Sequence, residues 1–210
     1  MDNANDFVQR NQRAMAIGAG AIAAIAAAII GWFAWQKSQN EEAQKEMFQA
    51  QYYFESDSLK KAETGDGSAL GFTQIADDYG MTKSGKMAHY YLGAIYLKQG
   101  KFQQAVENLE KFNLDDNLVQ ARAYSLLGDA HSELNQLDEA AKYYNKAADH
   151  KPNKFFTPSY LMKLAVVQEA QKDYKGAIAT YDKIIDNYFE SAESPEARKY
   201  KARDEVLAGN

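Results

Sequence analysis

No cysteine occurs anywhere in the 210 residues, so disulfides, thiolate metal sites and a lipid-bearing N-terminal cysteine are all excluded. Proline is nearly as scarce, with three residues, which favours long uninterrupted helices over a Pro-rich linker or a disordered tail. Positive charge is also in short supply. Twenty-four Lys and Arg stand against 29 Asp and Glu, for a net charge of −5. A nucleic-acid binder needs a basic stripe to neutralise phosphates, and no run of lysines interleaved with aromatics is found. Three histidines are too few, and too far apart, for helical metal spacing.

Catalytic signatures are missing as well. The chain has no nucleophile elbow, no phosphate-cradling glycine loop and no framed acid–base pair, so an enzyme is not expected. The acidic pairs Asp77-Asp78 and Asp115-Asp116 fall near helix ends, where adjacent carboxylates point apart and read as solvated surface. His89 and His131 occupy positions suited to large packing side chains, and His150 ends a helix, where a cation suits the dipole. No cofactor is implied.

What the chain does contain is one long apolar run. From Ala14 to Trp35 there are 22 residues without a charge, ten of them alanine and five isoleucine. As a helix this segment spans roughly 33 Å, enough to cross a hydrocarbon core of about 30 Å. The only two tryptophans, Trp32 and Trp35, sit at one end of it, at the level amphipathic indoles prefer. A cleaved signal peptide offers a competing reading, but the run is longer than an h-region and finishes in bulky aromatics. A retained anchor is therefore expected over 14–35, behind a cytoplasmic tail of residues 1–13. Arg10 and Arg13 lie closer to the anchor than Lys37 and Lys45, which places the N-terminus in the cytoplasm and the remainder outside it. Ala16, Gly20, Ala24 and Ala28 form a small-residue ridge on which another membrane helix can dock, although so Ala-rich a segment produces such a ridge almost by composition.

Residues 36–66 read as a linker and first helix of the soluble part. Ala43, Met47, Ala50 and Phe54 make one apolar stripe on a continuous helix over 36–63. The stripe suits either a short homotypic coiled coil or packing against the next helix. Gly65 and Gly67 then break the helix. From Ser68 onward, helices are expected at 68–79, 85–99, 102–113, 117–134, 137–149, 158–171, 174–188 and 195–207. Thr157-Pro158 and Ser194-Pro195 look like capping hydroxyls before a first-turn proline. Short connections make neighbouring helices antiparallel.

An internal echo organises this region. Leu92-Gly93, Tyr96, Phe102 and Ala105 return 35 residues later as Leu127-Gly128, His131, Leu137 and Ala140, and again with a slip as Leu164-Ala165, Gln168, Tyr174 and Ala177. Two helices approach closely only where facing side chains are small, so the Gly and Ala positions mark crossing points. A period in the mid-thirties signals stacked helix pairs rather than a globular enzyme core.

These residues resemble the tetratricopeptide repeat (TPR) family. From Ala121, the residues Tyr124, Leu127, Gly128, Ala140, Tyr144, Ala147 and Pro152 all fall on the family pattern, with His131 replacing the usual tyrosine. The repeat from Lys86 has Phe112 at a position normally small, and the one from Pro158 has Ala165 in place of glycine. The resemblance covers 86–189 well and 40–207 loosely. It implies an all-α, right-handed α-solenoid of about 3.5 helix pairs over 67–207, preceded by one transmembrane helix, with 195–207 as a polar-faced cap. It also implies a concave ligand face. Transferring the family's groove positions gives Met87, Tyr90, Ala94 and Leu97, then Arg122, Ser125, Asp129 and Ser132, then Ser159, Met162, Val166 and Glu169. The lysines and asparagines that grip a terminal carboxylate in other repeats are not found there.

An anchor followed by such repeats is similar to the single-pass inner-membrane proteins with a periplasmic TPR domain, including the ancillary subunit of the bacterial Sec translocon. That resemblance implies a helper beside the translocon, contacting translocon subunits, a membrane-anchored foldase or unfolded client proteins. A structural scaffold for an envelope-assembly or division complex, and a cytosol-facing TPR adaptor with inverted topology, are the competing expectations.

Overall fold

The computed structural model describes residues 2–114, 116 and 118–209, with side chains of the first helix described from Arg10 onward. The apolar run and the polar segment after it form a single helix, α1 (Asp2–Glu55). Nine more follow among the described residues: α2 (Leu59–Thr64), α3 (Phe72–Tyr79), α4 (Lys83–Lys98), α5 (Phe102–Leu109), α6 (Val119–Glu133), α7 (Leu137–Asp149), α8 (Thr157–Ala170), α9 (Tyr174–Asn187) and α10 (Ser194–Leu207). No strand occurs among them.

α1 has two parts with opposite surroundings. Every residue from 14 to 35 is exposed, and this stretch is long and apolar enough to cross a membrane. Beyond it, Ala43, Met47 and Ala50 are buried against α3 and α4. The stripe thus packs within the chain as the first helix of the solenoid. α1 stops at Glu55, earlier than the expected 63. Ser58 N–H reaches back to the Tyr53 carbonyl (2.8 Å) around Asp57, whose φ of 55° ends the helix. Short polar residues such as those at 56–58 compete with the helical backbone. α3 likewise begins at Phe72 instead of 68, because Asp66 Oδ1 ties down the N–H groups of Ser68 and Ala69 (both 2.9 Å) in a turn.

A ladder of contacts sets α4 parallel to α1: Ser84 N–H to Asn40 Oδ1 (2.9 Å), Gln51 to the Tyr91 hydroxyl (3.3 Å) and Lys98 to Asp57 (2.8 Å). Thr82 caps α4 by accepting from Gly85 N–H at 3.0 Å. The later helices then alternate in direction, each packed on its neighbours in sequence. Thr157 and Ser194 do not act as caps; each is the first residue of its helix, and Thr157 Oγ1 accepts from Asn153 N–H at 2.9 Å. Asp115 lies outside the described residues, while Asp116 receives the N–H groups of Leu118 and Val119 at the start of α6.

Two apolar clusters make the core, and α6 divides them: Ala123 faces the N-terminal one and Ala121 the C-terminal one. Glycines sit where helix pairs cross. A methyl group on Gly93 would meet Leu109 Cγ at 2.4 Å, and one on Gly128 would meet the Tyr144 ring at 2.5 Å. His131 stacks on Tyr143 (5.2 Å, 8° between planes) as a packing residue. α10 buries Ala197 and presents Arg198 and Lys199 outward.

Candidate functional site: a groove across three helices

Because α4, α6 and α8 are the first helices of successive pairs, their side chains share one face. At one end of that face Tyr90, Leu118, Val119, Arg122, Phe156 and Tyr160 line a hollow of about 290 Å3. The Arg122 guanidinium lies beside Tyr90 and Tyr160 in this hollow. Burial holds both Tyr90 and Tyr160 above the ordinary tyrosine range, and the Arg122 charge pulls each back down. The guanidinium has no carboxylate partner among the ion pairs of the described residues, and it is exposed. An open aromatic cup with a cation at its rim suits an apolar side chain flanked by negative charge.

The centre of the groove is chemically different. Lys163 bonds both oxygens of Asp129 (2.6 and 2.8 Å) and approaches Ser125 Oγ (3.4 Å). The Tyr144 hydroxyl donates to Asp129 Oδ1 at 2.7 Å. Burial, with Asp129 adding to it, drives the Tyr144 hydroxyl far above its ordinary value. Ser125 itself is buried. At the far end Glu169 accepts from Tyr181 (2.5 Å) and pairs with Arg203 (2.5 Å). Asp129 and Glu169 are therefore occupied in bonds between repeats.

The structure brings Tyr90 together with Arg122, while Met87 and Leu97 lie half-buried against the N-terminal core. Met162 is half-buried on α8, and Val166 is 50% exposed one turn further on. Leu118, Val119, Phe156 and Tyr160 were not among the transferred groove positions. The aromatic cluster Phe155-Phe156-Thr157-Pro158-Ser159-Tyr160 was the available signal for two of them. In α1, Ala16, Gly20, Ala24 and Ala28 are all exposed, and nothing lies within 4 Å of a methyl group placed on Gly20. Among the described residues no group of three or more His, Asp or Glu side chains could hold a metal.

The tetratricopeptide repeat family matches residues 90–155 and, through a second repeat type, residues 159–191. Two curated relatives carry the description "Uncharacterized protein ycf37". The one from Guillardia theta is 33% identical over 110 residues, covering 48% of this chain and 59% of that protein. The one from Pyropia yezoensis is 36% identical over 84 residues, covering 40% and 46% respectively. The chain thus spans about half the length of the curated relatives it matches. A solved structure, the apo form of RapI, superposes with a TM-score of 0.60 at 14% identity, covering 81% of this chain and 48% of that one, which speaks to the fold alone. The chain therefore carries tetratricopeptide repeats over 90–155 and 159–191 of its all-helical solenoid.

Proposed function

We propose that this chain is a non-enzymatic, membrane-tethered interaction module of the periplasm. In this reading it assists Sec translocon-linked export and folding by binding translocon subunits, a membrane-anchored foldase or emerging client proteins. The observation that carries the reading is the open cup around Arg122. Tyr90, Phe156 and Tyr160 supply apolar contact area at low entropic cost, and the exposed guanidinium selects segments that carry an acidic neighbour. Met87, Leu97, Met162 and Val166 extend the apolar surface along the groove, while Ser125, Asp129 and Glu169 form its polar middle and far end.

The anchor supports the tethered part of the reading. Residues 14–35 are uncovered by the rest of the chain, and the Ala16, Gly20, Ala24 and Ala28 ridge offers close approach to a neighbouring membrane helix. The two arginines before the segment favour a cytoplasmic N-terminus and a periplasmic C-terminal domain. Purification in mild detergent tests the proposal: translocon subunits or a foldase should co-purify with the chain, and recovery of neither contradicts it. A reporter fused after Asn210 should be active only outside the cytoplasm. Activity restricted to the cytoplasm reverses the topology.

A further inference from the structure

The turn between α3 and α4 is fastened to the membrane end of α1. Gln36 Nε2 donates to the Met81 carbonyl (3.0 Å), and four residues on Asn40 Oδ1 accepts from Ser84 N–H (2.9 Å). Helical side chains lean toward the helix N-terminus, so a group held by Gln36 lies level with the residues just before it. Phe33, which belongs to the uncharged run, and Met81 accordingly line the same hollow of about 550 Å3. Lys37, Lys83 and Lys86 line it too, and among its described lining residues there is no carboxylate. Met81 is 60% exposed.

The same edge of the solenoid continues outward through contacts between turns. Lys86 Nζ donates to the Asn113 carbonyl (3.3 Å), and His150 Nε2 lies 2.9 Å from the Asp116 carbonyl. Lys154 and Phe155 then share a hollow with Tyr188 and Phe189. Phe155 and Phe189 are 74% and 64% exposed. The turns on the opposite edge, at 99–101, 134–136 and 171–173, carry no large exposed apolar side chain among the described residues.

We propose that the α3–α4 turn is a second membrane contact, with Met81 in the interfacial layer and Lys37, Lys83 and Lys86 seating the phosphodiester of a bilayer phospholipid. This rests on the anchor reading, because only a spanning α1 places Phe33 at the headgroup level. Lysines attract lipid phosphates within a Debye length of the surface, and an apolar side chain among them adds burial in the acyl boundary. The contact holds the solenoid at a fixed tilt, with one edge on the bilayer and the other facing away.

The absence of cysteine makes the test direct. Met81→Cys, or Lys101→Cys on the opposite edge, carries one environment-sensitive fluorophore on the full chain in nanodiscs of phosphatidylcholine and phosphatidylglycerol. Lipids spin-labelled at the headgroup should quench the probe at position 81 and leave that at 101 unaffected. The pair Lys83→Glu and Lys86→Glu should weaken the quenching at 81, which the bonds of the turn to α1 keep from vanishing. Equal signals at 81 and 101 overturn the membrane contact, and quenching that charge reversal leaves undiminished overturns the phosphate seat. Trp32 and Trp35 are the only tryptophans, so brominated lipid reports the anchor separately. Loss of tryptophan emission with a silent position 81 defeats this contact alone, whereas unquenched tryptophans defeat the anchor and the contact together.

Discussion

Gly128 and Tyr144 decide how closely α6 and α7 can approach. The ring cannot retreat, since its hydroxyl is held by Asp129, which is itself held by Lys163. Gly128→Ala gains up to about 1 kcal/mol of helix propensity, but overpacking a filled core costs about 1–3 kcal/mol. The variant should therefore melt below the parent in thermal denaturation, and a higher melting temperature would contradict the crossing-point role. The glycine and alanine positions were legible because the repeat spacing marks them. The bonding of Asp129 and Glu169 was not, because Lys163 and Arg203 arrive from later helices that no local pattern connects to them.

At the scale of the element, α1 combines a stretch long and apolar enough to cross a membrane with a structural helix packed on the solenoid. Met47 is buried and its neighbour Phe48 is 73% exposed, one residue apart on the same helix. Met47→Ala should cost about 2–5 kcal/mol of stability, as expected for a large-to-small change in a core. Phe48→Ala should stay within about 0.5 kcal/mol. Denaturant titration of the two variants checks this, and equal losses would contradict the packing of α1 against α3 and α4. The apolar stripe was readable from its spacing, though whether it met another copy or the next helix was open until the contacts were known. The end of α1 at Glu55 was not readable, because Ser56-Asp57-Ser58 resembles ordinary polar helix surface until the left-handed Asp57 is seen.

For the molecule as a whole, buried tyrosines set a pH limit. Burial pushes Tyr143 up to about 12, and it raises Tyr144 and Tyr181 beyond the ordinary range, with Asp129 and Glu169 adding to the effect. In the unfolded chain these hydroxyls lose their protons near 10, while the folded chain keeps them. The unfolded state then binds fewer protons, so stability is intact below pH 10 and falls as pH rises beyond it. Urea midpoints should drop between pH 9 and pH 11, and less so for Tyr144→Phe with Tyr181→Phe; an unchanged slope in the double variant would contradict this account. The same scale shows why only half of the groove was legible. Tyr90 and Arg122 follow the repeat register, whereas Phe156 and Tyr160 reach the cup from the start of α8, outside the transferred positions.

Site-specific photo-crosslinking in intact membranes bears most directly on whether this groove is a working surface. A crosslinking phenylalanine analogue at Tyr90 or Met162 should capture protein partners, translocon subunits, foldase or clients, and Arg122→Ala should deplete the Tyr90 adducts. The same analogue at Gln103, exposed on α5 away from the groove, should capture none of them. Adducts no more frequent at Tyr90 and Met162 than at Gln103 would contradict the account.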